Sequence, residues 1–125
     1  MELYLGAPYE YTATAAGLVI AAGACPLDAA GAVVAPGDRE AQATRCVDNL
    51  LLALSARGAT ATDLMKTTIY VVAEAREDLV AVWNVAAARL GRTPSTLGVA
   101  MLGYRDQLVE IEAIANLPGP EPPEP

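Results

Sequence analysis

Histidine is absent from this chain of 125 residues, which removes Ser-His-Asp and Cys-His catalysis at once. Any general base must be a carboxylate, a tyrosine, a lysine, a terminal amine or a water held by the backbone. Cysteine is scarce as well. Cys25 and Cys46 stand far apart in no ligand spacing, so a zinc site would have to rest on carboxylates, and a structural metal is excluded. Basic residues are few, eight against fifteen acidic ones, for a formal charge of −7. Phosphate binding needs a stripe of Lys and Arg, and scattered cations on an acidic chain exclude nucleic acid and anionic membrane surfaces as partners. No run of about 18 apolar residues exists to span a bilayer, and Met1-Glu2-Leu3-Tyr4 lacks the basic-then-apolar order of a signal peptide. The expectation is a soluble cytoplasmic protein with no membrane partner.

What is present is apolar residue, 54% of the chain, enough for one core. A single domain over residues 1–117 is predicted, followed by a flexible tail at 118–125, where five prolines cannot supply sheet donors. Two segments carry a helical period. Ala43, Cys46, Val47, Leu50, Leu51 and Leu54 form one stripe, with Asp38 as N-cap, Gly58 as stop, and Arg45, Asp48, Asn49 and Ser55 facing away. Leu79, Val82, Trp83, Ala86, Ala87 and Leu90 form a second, opened by Glu77 and Asp78 and closed by Gly91.

Short β-branched or apolar runs at 18–22, 66–72, 96–101 and 108–115 read as strands, with Leu3-Tyr4 as an extra pairing segment and a hairpin turn at Gly31. In the last run, Val109, Ile111, Ala113 and Ala115 alternate with Glu110 and Glu112, so one side is apolar and the other starts acidic. The order predicts an α+β fold with two helices on one face of a sheet. The other face needs cover, and association of several sheets supplies it most economically.

Pro94-Ser95-Thr96-Leu97-Gly98-Val99-Ala100 and Leu108-Val109-Glu110-Ile111-Glu112-Ala113-Ile114-Ala115, together with Pro8-Tyr9, Gly17 to Gly23, Cys25-Pro26-Leu27-Asp28, Glu40 to Leu50 and Asp63 to Val71, resemble in order and spacing the RidA (YjgF/YER057c/UK114) family across roughly residues 8 to 116. The resemblance implies a chorismate-mutase-like α+β fold and a homotrimer with a small-molecule cleft at each subunit interface. It also implies cofactor-free hydrolysis of enamines or imines to a 2-keto acid and ammonia. It places a cleft tyrosine at Tyr9 and a cleft glutamate at Glu110, the proposed catalytic pair.

The family arginine that clamps a substrate carboxylate through two parallel hydrogen bonds falls on Thr96 when counted from Pro94, and on Pro94 itself when counted back from Gly98-Val99-Ala100. Neither can do that work. Ala22 replaces the family serine, Ala24 the glutamine, and Trp83 stands where an asparagine is expected. Ala22, Ala24, Cys25, Trp83, Arg92, Pro94 and Thr96 are therefore the candidate binding residues, with Arg92 or Arg105 as substitutes for the missing guanidinium. Cys46, in the helical stripe, belongs to the core. Two functions follow: an enzyme acting on an imine, enamine or related tautomerisable compound other than the family's usual one, or a trimer that binds a small molecule or partner without turnover.

Overall fold

The computed structural model describes residues 1–91 and 93–117. Arg92 and the proline-rich tail at 118–125 lie outside the described residues. Five strands, β1 (Thr12–Ala15), β2 (Leu18–Ala24), β3 (Leu64–Val71), β4 (Pro94–Gly98) and β5 (Val109–Asn116), form one sheet in the order β1-β2-β5-β3-β4, with helices α1 (Arg39–Ser55) and α2 (Arg76–Leu90) packed on it. Every pairing is antiparallel except β3 with β4, which are joined through α2 and run parallel.

The helix boundaries follow local chemistry. The Asp38 carboxylate accepts from Ala41 N at 3.0 Å, satisfying an otherwise unpaired first-turn donor. Asp78 reaches back to accept from Glu74 N and Ala75 N, which holds its carboxyl below the usual range. Gly91 ends α2 at φ 76°, a conformation that disfavours any side chain.

The alternation in β5 sorts the two faces. Val109, Ile111, Ala113 and Ala115 are buried beneath the helices with Val47, Leu50, Leu54, Ile69, Val71 and Val82. Glu110, Glu112 and Ile114 point to the other face. That face carries Ile20, 48% exposed, and a shallow cavity of about 170 Å³ lined by Lys66, Thr68, Glu112 and Ile114 among others. None of the described helices is long and apolar enough to cross a membrane.

Three sequence expectations change. The extra strand is Thr12–Ala15, paired with β2, and not Leu3-Tyr4. The Tyr4 ring packs on Gly31, where a Cβ would come within 2.8 Å of it, while the Tyr4 carbonyl accepts from the Tyr11 hydroxyl. Asn49 does not face away. It is buried and donates through Nδ2 to Cys25 O and Leu27 O, each at 2.9 Å, because two carbonyls of a segment that has left the sheet need donors there. The fourth strand starts at Pro94 and stops at Gly98. A sheet edge tolerates proline at a strand's first residue.

Candidate functional site

The site begins with an irregularity in β2. Ala21 pairs with Ala113 and Ala24 with Ile111, so three steps along β2 match two along β5, and one extra residue bulges out. The bulge brings the Gly23 backbone over Glu110. A Cβ on Gly23 would fall 2.4 Å from Glu110 Oε2, so the close approach depends on glycine. A cavity of about 410 Å³ opens here, lined chiefly by Tyr9, Ala22, Gly23, Cys25, Tyr104 and Glu110.

The two oxygens of Glu110 are used differently. Oε1 accepts from Cys25 Sγ at 3.2 Å and from Gln107 Nε2 at 3.3 Å. Gln107 is buried, also donates to Val109 O at 3.1 Å, and accepts from Tyr104 N at 3.1 Å. One amide thus ties the tyrosine turn to the carboxylate. Oε2 has no protein donor among the described residues, and the one buried unpaired side-chain oxygen or nitrogen there is Asn49 Oδ1, so Glu110 Oε2 is open to the cavity. The turn itself is held from α1: Gln42 Nε2 donates to Asp106 O at 3.0 Å, and Gln42 Oε1 accepts from Leu108 N at 2.8 Å.

Across the cavity the Tyr9 and Tyr104 hydroxyls stand 3.3 Å apart, and Tyr9 donates to Cys25 Sγ at 3.9 Å. Burial and the hydrogen bond to Tyr104 push the Tyr9 phenol up, so it stays protonated and serves as a donor. Burial first, then the Glu110 charge, push the Cys25 thiol up to about 12. At neutral pH it is a thiol and not a nucleophilic thiolate. The pocket therefore offers one free carboxylate oxygen, phenolic donors and space for water or a small ligand. Among the described residues no three Cys, Asp or Glu side chains gather as metal ligands.

Of the residues singled out in the sequence, Tyr9, Ala22, Cys25 and Glu110 meet in this cavity. Ala24 does not; it is 5% exposed and part of the core, because the bulge turns it to the helix side. Trp83 and Thr96 line a separate concavity of about 480 Å³ with Arg76, Leu79 and Val80. Trp83 is 39% exposed, and its Nε1 donates to Pro94 O at 2.9 Å, so it braces α2 against β4 from outside the core. Arg105 is exposed beside Tyr104 and outside the cavity lining. Sequence reasoning missed Tyr104 and Gln107. The Gly103-Tyr104-Arg105-Asp106 turn was conspicuous for its arginine, whereas its tyrosine makes the contact; nothing in the spacing marked Gln107.

The sequence profile of the family described as Endoribonuclease L-PSP matches residues 2–117. No curated protein matches the chain. Among solved structures, Rv2704 from Mycobacterium tuberculosis, a member of the YjgF/YER057c/UK114 family, is 30% identical over 86% of each chain with a TM-score of 0.70. The YjgF gene product of E. coli is 28% identical over 90% of this chain and 91% of its own, with a TM-score of 0.76. E. coli TdcF, with bound serine, is 25% identical over 88% of each chain, with a TM-score of 0.74. With the shared arrangement of two helices on a mixed five-stranded sheet, these matches carry one conclusion: the chain belongs to the YjgF/YER057c/UK114 (RidA) family.

Proposed function

We propose that this protein hydrolyses the C=N bond of a small imine, or of an enamine after tautomerisation, in the Tyr9–Glu110 pocket of a homotrimer. The observation that carries the reading is the open Oε2 of Glu110 in one cavity with the protonated Tyr9 phenol. Oε2 accepts a proton from water as the water oxygen bonds to the imine carbon, and the C=N electron pair moves to nitrogen, which takes a proton from a phenol or returning from Glu110. Collapse of the carbinolamine releases the carbonyl product and ammonia, regenerating the carboxylate and phenols. The high thiol pKa of Cys25 disfavours a covalent route.

The substrate differs from a simple amino-acid imine. TdcF holds serine, but in this chain the positions assigned to a carboxylate-clamping arginine carry Pro94 or Thr96. Losing a charged, two-pronged contact costs about 2 to 5 kcal/mol, roughly two decades or more in rate. RNA cleavage, which the family's description names, gains no support from a chain of charge −7.

Steady-state release of ammonia and carbonyl product tests the proposal, with 2-aminoacrylate compared against a carboxylate-free acyclic N–H ketimine. Turnover should favour the second, and Glu110→Gln should lower it by about 10² or more while the fold is kept. Turnover of 2-aminoacrylate at the rate of an arginine-bearing relative sinks the substrate assignment. Unchanged turnover in Glu110→Gln sinks the catalytic role of Glu110, whereas ligand binding with no turnover of either compound favours the second reading, a trimer that only binds its ligand, for which the open, largely apolar-walled pocket is equally suited.

A further inference from the structure

Among the described residues of one chain, the Glu110 pocket contains acceptors and neutral donors but no opposite charge to meet an anion. Its described lining is Tyr9, Cys25, Tyr104, Glu110 and small or apolar residues, with no lysine or arginine, and among the described residues no ion pair reaches Glu110. Oε1 is held by Cys25 and Gln107, so the carboxylate is fixed in orientation and its second oxygen is presented to the cavity. Gln107 Oε1 accepts from the Tyr104 backbone N–H in the same chain of contacts, so one buried amide ties the backbone of the tyrosine turn to the carboxylate. A fixed carboxylate oxygen in a partly desolvated cavity attracts a cation more strongly than it would in water, and repels an anion by the same argument.

We infer that this pocket selects a ligand that is positively charged at nitrogen and carries no carboxylate, an ammonium, amidinium or iminium group on a compact apolar body, with its N–H donated to Glu110 Oε2. Gln107 is the positioning residue for that contact. The inference rests on reading the Glu110 pocket as the substrate site, and it narrows the imine to one that enters as its protonated iminium or whose released amine is a cation.

The test uses unreactive probes, so it is separate from turnover. Titration calorimetry of the full-length protein at pH 7 compares benzylammonium, benzyl alcohol and benzoate, which share a ring small enough for a cavity of about 410 Å³. Benzylammonium should bind at least about tenfold more tightly than the alcohol, with benzoate weakest. Glu110→Gln should erase the difference between amine and alcohol. Gln107→Leu, which leaves the charge in place but frees it, should reduce the amine preference severalfold without inverting it, a pattern that general destabilisation would not give. Equal or tighter binding of benzoate, as a cation reaching the pocket from outside this lining would produce, overturns the inference, as does failure of all three probes to bind. A protein that prefers benzylammonium yet hydrolyses no imine keeps the inference and fails the hydrolytic reading.

Discussion

The two concavities at the ends of this sheet differ in kind. The one at the β2 bulge is polar where it matters: a carboxylate, a thiol and two phenols converge, and a network of buried amides from Gln42 and Gln107 fixes them. The one between α2 and β4 is built of Leu79, Val80, Trp83 and Thr96 with Arg76 at its margin, and a single indole hydrogen bond organises it. Family resemblance assigned residues from both to one cleft, yet within one chain they are separate. The difference teaches that the first holds polar groups in place, whereas the second is a wall in want of something to face. That the Trp83 wall of one subunit meets the Glu110 pocket of its neighbour in the proposed trimer is a consequence open to test.

The sharpest way to break the polar side of this comparison is Gly23→Ala. Gly23 does not have a positive φ, so alanine is tolerable to the backbone, but its Cβ would fall 2.4 Å from Glu110 Oε2. The cheapest response is rotation of the carboxylate away from its two donors. Melting temperature should change little while kcat falls by about 10², a split that kinetics with thermal denaturation would read. A large loss of stability with normal activity in the folded fraction would mean that Glu110 is not held by this approach.

The apolar side is tested through its single tryptophan. If the concavities meet across subunits, Trp83→Ala should weaken ligand binding about tenfold, as loss of an aromatic wall does, with kcat affected less than KM. In the unsubstituted protein, ligand entering the Glu110 pocket should change tryptophan fluorescence. Light scattering at matched concentration supplies the control: the chain mass is 12.9 kDa, and a particle near that mass, or an indole deaf to ligand, removes the closure of one concavity by the other.

Much of the fold was legible because its signals are periodic. The stripe through Cys46, Val47, Leu50 and Leu54 and the alternation of Val109 to Ala115 each describe a one-sided surface, and burial follows them. Trp83 shows where periodicity ran out. It shares the helical spacing of Val82 and Ala86 but lies at the edge of the stripe, where a ring too large for the core turns outward to bond Pro94 O. The site was half legible. Tyr9, Ala22, Cys25 and Glu110 were found through resemblance to a family pattern, but Ala24 was misplaced, because a one-residue bulge flips every side chain after it. Asn49, Gln42 and Gln107 were invisible as functional supports. A buried amide is defined by the carbonyls and N–H groups it meets, and apart from Ala35 O for Gln42 those lie 22 to 66 residues away for Asn49 and Gln42, beyond any local pattern.

The smallest expected effect concerns Cys25, the one residue of the polar pocket whose chemistry is suppressed. Its thiol is raised from an ordinary value near 9 to about 12, by burial first and by the Glu110 charge second. A group with a raised folded value favours folding while it stays protonated: the contribution is complete below about pH 9, where thiols are protonated folded or unfolded, and drains away as pH climbs toward 12. Because only the thiolate attacks disulfide reagents, Cys25 in the native protein at pH 8 should react at least about tenfold more slowly than a free thiol, and Cys46, fully buried, more slowly still. Glu110→Gln removes the charge but not the burial, so Cys25 should speed up severalfold and still lag a free thiol. Native Cys25 reacting at the free-thiol rate would mean that the carboxylate and the sulfur are not in contact in solution, and that the polar pocket is looser than the apolar wall.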